Sequence, residues 1–263
     1  MNEVMRIVKE EGPTIVSQIF DMDCEMTLRI RRSLMDNLKK RLSKVDGVHF
    51  INEEETNMTE KEKMEKGELY DAAIPELIEQ LLSTRDKIFE LNHLRPSQLE
   101  EREKLIREII GTTPEKFIII SPFFCDYGHN IHLGKNFFAN YNCVMLDEAP
   151  ITIGDNVFIA PNVSFYTAGH PSDVERRNEW LEYAWPITVG NNVWICGGVT
   201  ITPGVTIGDN SIIAAGSVVT NDIPSNVIAG GNPCRVIRTI TEKDKLRSFS
   251  WEEKKAKKQV KPA

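Results

Sequence analysis

His170, in the short run Gly169-His170-Pro171, is the residue of this chain best suited to proton transfer. An imidazole accepts and releases a proton near neutral pH, so it can serve as a general base. Glu182 follows in the same polar stretch and could orient the imidazole, although a surface salt bridge is nearly as good an interpretation. A lone histidine is more often structural than catalytic, so a catalytic role for His170 depends on the elements that surround it.

A six-residue repeat between residues 151 and 223 is the element that must position this site. An α-helix, with 3.6 residues per turn, would scatter such positions around its axis, whereas short strands coiled into a three-sided prism place them inside. The sequence therefore predicts a mainly β fold, a parallel β-helix of hexapeptide repeats whose units are stable only when stacked. The aliphatic first positions are Ile153, Ile159, Val189, Ile195, Ile201, Ile207, Ile213 and Val219.

The repeat is interrupted from residue 166 to residue 186, and both His170 and Glu182 stand in this interruption. A loop of this length leaving a compact coil is usually functional. We therefore predict that the loop carries the site and that the coil, residues 113–240, supports it.

Residues 58–112 precede the coil and have the patterning of amphipathic helices. Thr59 can cap the first helix, Pro75 opens a second, and Ser97 followed by Glu100 opens a third. Because these helices are not self-sufficient, we expect them to cap the open N-terminal end of the coil. After the coil, residues 241–263 predict a polar helix and a lysine-rich tail.

Residues 1–57 form an extension that the repeat does not explain. Apolar spacing predicts an amphipathic helix from Met26 to Val45, Val48-His49-Phe50 has the composition of a short strand, and residues 52–57 have that of a polar linker. The pattern indicates no chemistry here, so we expect an accessory or dimer-stabilising segment.

The composition narrows the class of protein. The chain has 263 residues, 41% of them hydrophobic, and a formal charge of −7, which disfavours nucleic acid as a partner. No apolar run is long enough for a membrane helix, and the acidic, interrupted start does not resemble a signal peptide. The five cysteines are widely spaced without a Cys-x-x-Cys, which favours free thiols and a cytoplasmic location.

Four segments together resemble the maltose and galactoside O-acetyltransferase family of hexapeptide-repeat acyltransferases. They are the helical run 64–71, the Gly-His-Pro loop, the repeat run 201–210 and the run 230–238. The resemblance covers residues 58 to about 247. It implies a left-handed parallel β-helix, a homotrimer with sites between subunits, acetyl-CoA as the acyl donor, a sugar hydroxyl as the acceptor, and no metal.

The resemblance also implies roles for individual residues. His170 would be the base, Glu182 its neighbour, and Asn140 a polar stabiliser beside the reacting hydroxyl. The acceptor sugar would be bound by Asp71, Asp126, Asn140 and Glu148. The CoA moiety would be bound by Trp194, Gly197, Ala215, Thr220, Asn221, Arg235 and Arg238.

Two positions depart from the galactoside enzymes that the chain resembles. Asn221 stands where those enzymes have a lysine, so one contact to a CoA phosphate is expected to be weaker. Gln80, Leu81 and Leu82 occupy the region of an arginine that contacts the sugar there. Galactoside specificity does not follow from the resemblance.

A trimer is also expected from the repeat itself. A three-sided coil exposes flat faces, and we assign Phe158, Phe165 and Trp194 to outward positions or the loop edge, where a protein neighbour suits them better than water.

Three other interpretations stay open. Cys125, His129 and His132 have the types of zinc ligands, as in γ-type carbonic anhydrases, but residues three apart on a strand face opposite sides. A non-enzymatic trimerising scaffold would not need the His170 loop. Cys196 as an acyl-carrying nucleophile lacks a base close in sequence and is more simply a corner residue.

Overall fold

The computed structural model describes residues 2–20, 24–29, 32–45, 48, 58–245, 250 and 255. The chain divides into two compact units, residues 1–57 and 58–263. Among the described residues, no helix has the length and apolar character needed to cross a membrane.

The first unit has the order helix, hairpin, helix. Its core brings Ile7 of the first helix against Leu38 and Leu42 of the second. The elements are α1 (Asn2–Glu11), β1 (Thr14–Phe20), β2 (Cys24–Arg29) and α2 (Arg32–Leu42), with β1 and β2 antiparallel.

The predicted helix from Met26 to Val45 is wrong at its start. Residues 24–29 alternate apolar and polar side chains with a period of two, which suits a strand, and they pair with β1. The buried Leu38 and Leu42 confirm the leucine stripe of the later part. Of the predicted strand 48–50 only Val48 is described, and the linker 52–57 lies outside the described residues.

Helices open the second unit as the capping pattern predicts, with one exception. The Thr59 cap is confirmed, because its hydroxyl accepts from the Glu62 N–H at 3.2 Å while the Glu62 carboxylate accepts from the Thr59 N–H at 2.7 Å. Pro75 is confirmed as the first residue of its helix. The helices are α3 (Glu60–Glu65), α4 (Pro75–His93) and α5 (Leu99–Ile109).

Ser97 does not cap the third helix, so that prediction is wrong. The Gln98 side chain accepts from the Arg95 N–H at 3.0 Å and holds the preceding turn, which moves the helix start to Leu99. As expected, α4 and α5 cover the N-terminal end of the coil. Their buried Leu91 and Ile106 belong to the same core as the first turn of the coil.

The coil has three faces that the chain visits in a fixed order, and residues 117–239 that form it are all described. The first face contains β4 (Phe117–Ile119), β7 (Phe137–Ala139), β10 (Phe158–Ile159), β15 (Trp194–Ile195), β18 (Ile212–Ile213), β20 (Val227–Gly230) and β21 (Arg235–Thr239). The second contains β5 (Phe123–Cys125), β8 (Cys143–Leu146), β11 (Ser164–Tyr166), β16 (Thr200–Ile201) and β19 (Val218–Val219). The third contains β6 (Ile131–Leu133), β9 (Ile151–Ile153), β14 (Ile187–Val189) and β17 (Thr206–Ile207).

Neighbouring strands on each face are parallel, except that β21 returns antiparallel to β20. The fold is a left-handed parallel β-helix of hexapeptide repeats, as expected. Its core consists of the inward first and fifth positions, for example Ile153, Val157 and Ile159, all at most 2% exposed. Each such side chain contributes roughly 1.5 to 3 kcal/mol by burial.

The outward assignment of Phe165 is wrong. Phe165 occupies a first position of the repeat, and its side chain is fully buried in the coil. Phe158 and Trp194 occupy sixth positions on the first face and are about half exposed, at 52% and 50%. On the first face, Phe138, Phe158 and Trp194 form an aromatic surface.

The corner between the third and first faces explains the recurrent Gly-Asp-Asn run. A side chain at Gly154 would lie 2.8 Å from the backbone of Gly190 in the next turn. The Asp155 carboxylate accepts from the Lys135 N–H of the previous turn at 2.7 Å. Asparagine comes next because it tolerates a positive φ. These asparagines, Asn136, Asn156, Asn192, Asn210 and Asn226, have φ near +57° and form a ladder of side-chain amide hydrogen bonds of 2.9 to 3.0 Å.

The corner between the second and third faces is where the chain leaves the coil after Tyr166. The excursion forms a small antiparallel sheet, the loop sheet, with a strand from the start of the unit. Its strands are β3 (Tyr70–Asp71), β12 (Ala168–Gly169) and β13 (Leu181–Ala184), and α6 (Val174–Asn178) lies between the last two. The predicted C-terminal helix is α7 (Glu242–Lys245), and of the tail beyond it only residues 250 and 255 are described.

Candidate active site

His170 follows β12 at the edge of the loop sheet, and its imidazole has a fixed tautomer. Its Nδ1 lies 3.1 Å from the backbone carbonyl oxygen of Leu181. A carbonyl only accepts hydrogen bonds, so Nδ1 carries the proton and Nε2 of the neutral ring keeps its lone pair. Trp180, with φ of +62°, turns the chain just before Leu181. The imidazole is thus held by a backbone group, with its basic nitrogen available.

Glu182 lies beside that basic nitrogen. Its Oε1 is 3.9 Å from His170 Nε2, too far for a hydrogen bond. Its Oε2 accepts a hydrogen bond of 2.9 Å from the hydroxyl of Tyr70, the residue opposite it on β3. Orientation of the ring therefore comes from Leu181, and Glu182 adds a carboxylate at the reacting side. Sequence reasoning gave Tyr70 no role, although it lies in the run 64–71 that carries the resemblance.

Asp126 and Glu148 form a carboxyl pair close to the loop sheet. Burial raises the pKa of Glu148 well above its usual value, and its hydrogen bond with Asp126 raises it further. Burial and the neighbouring carboxylate thus favour the protonated form of Glu148. Arg85 on α4 approaches the Asp126 carboxylate at 3.4 Å. Thr167 Oγ1, at the loop's start, lies 3.2 Å from Glu148 Oε2.

Asp147 was not singled out from the sequence, although it shapes this carboxyl pair. Its fully buried carboxylate accepts from the backbone N–H groups of Asp126 at 3.1 Å, Tyr127 at 2.8 Å and Asn130 at 3.2 Å. Burial raises the pKa of Asp147 to about 6, against the opposing effect of those N–H groups. Asp147 therefore fixes the turn that presents Asp126.

Asp71 lies on β3, opposite Leu181, but its carboxylate is directed to its own turn. The Asp71 Oδ1 accepts from the Ala73 N–H at 2.8 Å, and the Asp71 N–H donates to Glu60 at 2.6 Å. The loop sheet thus brings His170, Glu182 and Asp71 together.

A second group of the expected residues lies in a groove outside the first face. The groove has a volume of about 400 Å³ and is lined by Phe138, Asn140, Phe158, Ile159, Ala160 and Trp194. The Asn140 side chain accepts from the Tyr141 N–H at 2.8 Å. Gly197 and Ala215 follow first-face strands that are in register with this groove, so they lie along the same corner of the coil.

The other residues expected to contact CoA are distributed over two places. Thr220 and Asn221 follow a second-face strand and lie at the corner between the second and third faces, where the Asn221 amide donates to Thr220 at 3.0 Å. Arg235 and Arg238 lie on β21. Arg238 makes two hydrogen bonds to Asp244, of 2.9 and 2.7 Å, and this guanidinium holds the pKa of Asp244 well below its usual value.

The groove and the histidine lie at opposite ends of the second face. The groove follows the corner that precedes this face, and the loop leaves at the corner that follows it. None of the hydrogen bonds or ion pairs of residues 58–245 joins Asn140 to His170. Within one chain, Asn140 and Trp194 therefore lie at the corner of the second face away from the loop that carries His170.

Two family descriptions match parts of this chain, on either side of the His170 loop. The family description "Maltose acetyltransferase hexapeptide capping motif" matches residues 63–114, and "Bacterial transferase hexapeptide (six repeats)" matches residues 186–221. A galactoside O-acetyltransferase of Escherichia coli is 49% identical over 193 residues, which are 73% of this chain and 95% of that protein. This chain belongs to the maltose and galactoside O-acetyltransferase family.

Two further relatives support the family assignment. A putative acetyltransferase of Saccharomyces cerevisiae is 59% identical over 184 residues, which cover 70% of this chain and 94% of that protein. The structure of a galactoside acetyltransferase in complex with coenzyme A superposes with a TM-score of 0.72 at 48% identity, covering 74% of this chain and 98% of that one. Neither family description extends over residues 1–57 or over the His170 loop.

The interpretations outside this acetyltransferase family gain no geometric support. His132 Nδ1 lies 3.1 Å from Thr112 Oγ1, and across the part of the chain that the structure describes, no three His, Cys, Asp or Glu side chains gather as a metal site. Burial raises the pKa of the Cys196 thiol, which disfavours the thiolate that a nucleophile needs.

Proposed function

We propose that this enzyme transfers an acetyl group from acetyl-CoA to a hydroxyl group of a sugar, with His170 as the general base. The observation that carries the proposal is the hydrogen bond between His170 Nδ1 and the Leu181 carbonyl, which leaves Nε2 as a free base at the edge of the loop. Membership of the family and the relative in complex with coenzyme A support the choice of donor.

The transfer requires one proton to move from the acceptor hydroxyl to His170 and then to the sulfur of CoA. His170 Nε2 takes the proton of the acceptor hydroxyl, and the hydroxyl oxygen bonds to the acetyl carbonyl carbon. The carbon–sulfur bond breaks, and its electron pair goes to sulfur. The imidazolium then returns the proton to that sulfur, so the products are an acetyl ester and a free thiol. The Asn140 amide is proposed to stabilise the charge that develops on oxygen.

The groove suits the pantetheine arm of the donor. Phe138, Phe158 and Trp194 give it an apolar wall, and the backbone at Gly197 and Ala215 continues the same corner for amide hydrogen bonds. Arg235 and Arg238 are proposed to bind phosphates, since a guanidinium fork suits them. Arg238 would have to exchange Asp244 for phosphate. Thr220 and Asn221 are proposed as outer contacts.

The acceptor is proposed to bind between the loop sheet and the carboxyl pair. Asp126 and Glu148 offer hydrogen-bond partners for sugar hydroxyls, and Asp71 borders the same sheet as His170. A carboxyl group whose pKa is raised, as that of Glu148 is, can donate as well as accept a hydrogen bond, which suits a hydroxyl-rich ligand.

The active site is proposed to be completed in a homotrimer. Asn140 and Trp194 lie across the second face from His170 within one chain, so a neighbouring subunit is needed to bring the donor groove to the base. The exposed Phe158 and Trp194 supply an apolar surface for that contact. Light scattering should give about three chain masses, and an active monomer would contradict the assembly.

A cytoplasmic location is proposed from the cysteines. Cys125, Cys143 and Cys234 are buried free thiols, and Cys196 is a partly buried one. Unpaired thiols persist in a reducing compartment.

Thiol release from acetyl-CoA tests the proposed function. Purified enzyme is mixed with acetyl-CoA and with glucosides, maltose or galactosides in turn, and free CoA is measured with a thiol reagent. Release that depends on a sugar, with a matching acetyl ester in the product, supports the proposal. Absence of release with every sugar would contradict it.

A further inference from the structure

Two hydrogen-bond acceptors face the same space in the loop sheet. His170 Nε2 carries a lone pair, because its Nδ1 proton is used by Leu181. Glu182 Oε1 lies 3.9 Å away, and among the described residues no donor binds it. Two acceptors at this distance cannot satisfy each other, so the space between them needs hydrogen-bond donors.

Tyr70 fixes the direction of the Glu182 carboxylate. Tyr70 is fully buried and pairs with Glu182 in the loop sheet, and its hydroxyl donates to Oε2 at 2.9 Å. Burial, together with the charge of Glu182, raises the pKa of Tyr70, so the hydroxyl stays a donor at any pH at which the enzyme is studied. One carboxylate oxygen is thus occupied, and the other is held towards His170.

Adjacent hydroxyl groups of a sugar match this pair of acceptors. Their oxygens are separated by about the length of a hydrogen bond, so one hydroxyl can donate to Nε2 while its neighbour donates to Oε1. A single hydroxyl has one proton and can serve only one of the two acceptors. An isolated alcohol would leave Glu182 Oε1, on a side chain that is 23% exposed, to be hydrogen bonded by water instead of by the acceptor.

We propose that Glu182, positioned by Tyr70, recognises the hydroxyl group next to the one that is acetylated, so that the acceptor class is compounds with paired neighbouring hydroxyls. This inference rests on the proposed function of His170. It gives Glu182 a role in acceptor choice, distinct from orienting the imidazole, which Leu181 already does. Loss of a hydrogen bond to a charged oxygen corresponds to about 10- to 100-fold in kcat/KM.

The test compares acceptors that each lack one hydroxyl. Methyl glucoside, methyl galactoside and their monodeoxy analogues are assayed by thiol release, and the acetylated position is mapped in each product. For the wild-type enzyme, removal of the reacting hydroxyl should abolish transfer, and removal of its neighbour should lower kcat/KM about 10- to 100-fold.

Glu182→Gln should remove that discrimination. The Tyr70 hydroxyl binds the amide oxygen, which turns the NH2 group towards the acceptor and replaces a hydrogen-bond acceptor with a donor. The parent sugar and the analogue lacking the neighbouring hydroxyl should then react at rates within about threefold of each other. Penalties for the other hydroxyls should persist.

Tyr70→Phe in the Glu182→Gln background provides the decisive comparison. Without the Tyr70 hydroxyl, the amide is free to rotate and present its oxygen, so part of the discrimination should return. If the role of Tyr70 were only structural, the second substitution would lower kcat/KM further and would restore no discrimination between acceptors. Thermal midpoints and coenzyme A binding, followed by tryptophan fluorescence, check that each variant is folded.

Two results would overturn the inference while leaving the proposed function intact. One is a wild-type enzyme that acetylates the sugar but shows no penalty for loss of the neighbouring hydroxyl. The other is a Glu182→Gln variant that slows all acceptors in proportion, which would assign Glu182 to the charge of His170 alone. No sugar-dependent thiol release at all would instead contradict the proposed function and the inference with it.

Discussion

Two corners of the same β-helix differ in the partners to which their polar groups are hydrogen bonded. The corner between the third and first faces has an asparagine at each turn from Asn136 to Asn226, and the ladder of these asparagines joins one turn to the next. The corner between the second and third faces opens after Tyr166 and admits the loop that carries His170. The first corner satisfies its backbone groups within the coil, and the second satisfies them with a distant strand.

The difference lies in which contacts stabilise each corner. A ladder amide binds its counterpart one turn away, as Asn192 binds Asn210 at 3.0 Å. The loop instead pairs with Tyr70 and Asp71, far away in the chain, and its histidine is held by Leu181. The ladder therefore stabilises the coil, whereas the loop presents His170, the proposed base. Substitutions at the two corners should separate these effects.

The largest expected effect is on catalysis, at the corner between the second and third faces where the His170 loop leaves the coil. His170→Ala should lower kcat/KM by about two to four orders of magnitude, because the acceptor hydroxyl loses its base. Coenzyme A binding should change little, since the groove lies at the other end of the second face. Thiol-release kinetics and a binding titration check both statements. A variant that keeps about a tenth of the activity would contradict the assignment of the base.

The regular corner is also the one that was predictable from sequence. The hexapeptide units of the coil recur every six positions and this corner recurs once per three units, so the inward aliphatic residues and the turn residues follow from the period alone. Errors appeared where the phase was misjudged, as with Phe165, which is buried at a first position.

The site was only partly predictable. His170 and Glu182 were found because they share one interruption, but the hydrogen bond from Tyr70 to Glu182 spans 112 residues and leaves no periodic trace. Asp147 was missed for a similar reason, since its backbone partners lie on a neighbouring turn. Long-range polar contacts need coordinates, because a sequence repeat encodes only what stacks on itself.

A smaller effect, confined to stability, is expected at the ladder. Asn210→Ala removes hydrogen bonds to Asn192 and Asn226 and places alanine at a φ of +57°. Each exposed hydrogen bond contributes about 0.5 to 1 kcal/mol, and the left-handed backbone costs about 1 kcal/mol or more, so unfolding should become about 2 to 3 kcal/mol easier.

Asn210→Gly is the matched control for that substitution. Glycine accepts the positive φ, so this variant should lose only the hydrogen-bond part of the stability. Denaturant unfolding gives both values, and kcat/KM should equal that of the wild type in both variants. A ladder substitution that impairs catalysis as much as stability would show that the two corners are coupled.

A modest effect on stability is expected from the carboxyl pair, Asp126 and Glu148, close to the loop sheet. The pKa of Glu148 is raised in the folded enzyme, so the folded state keeps a proton that the unfolded state releases. Stability from this group is therefore present at low pH and is lost as pH rises from the ordinary glutamate pKa through the raised one. Glu148→Gln has no charge to desolvate, so its Tm should improve relative to wild type as pH rises.

Thermal unfolding at several pH values between about 4.5 and 8 checks this statement, with the lower limit at the ordinary pKa of glutamate. The quantity to follow is the Tm of Glu148→Gln minus that of the wild type, which cancels the titration of other groups. A difference that falls with pH, or stays constant, would show that Glu148 is ionised throughout.

The smallest expected effect concerns residues 1–57, whose removal should leave the properties of both corners unchanged. These residues form a compact unit of their own, and every residue given a chemical role lies at or beyond Tyr70. A chain that begins at Met58 should therefore assemble and transfer acetyl groups with kcat and KM within about twofold of the full chain. Its Tm is measured beside that of the full chain. If the shortened chain unfolds normally but no longer acetylates sugars, the first unit supplies part of the acceptor site.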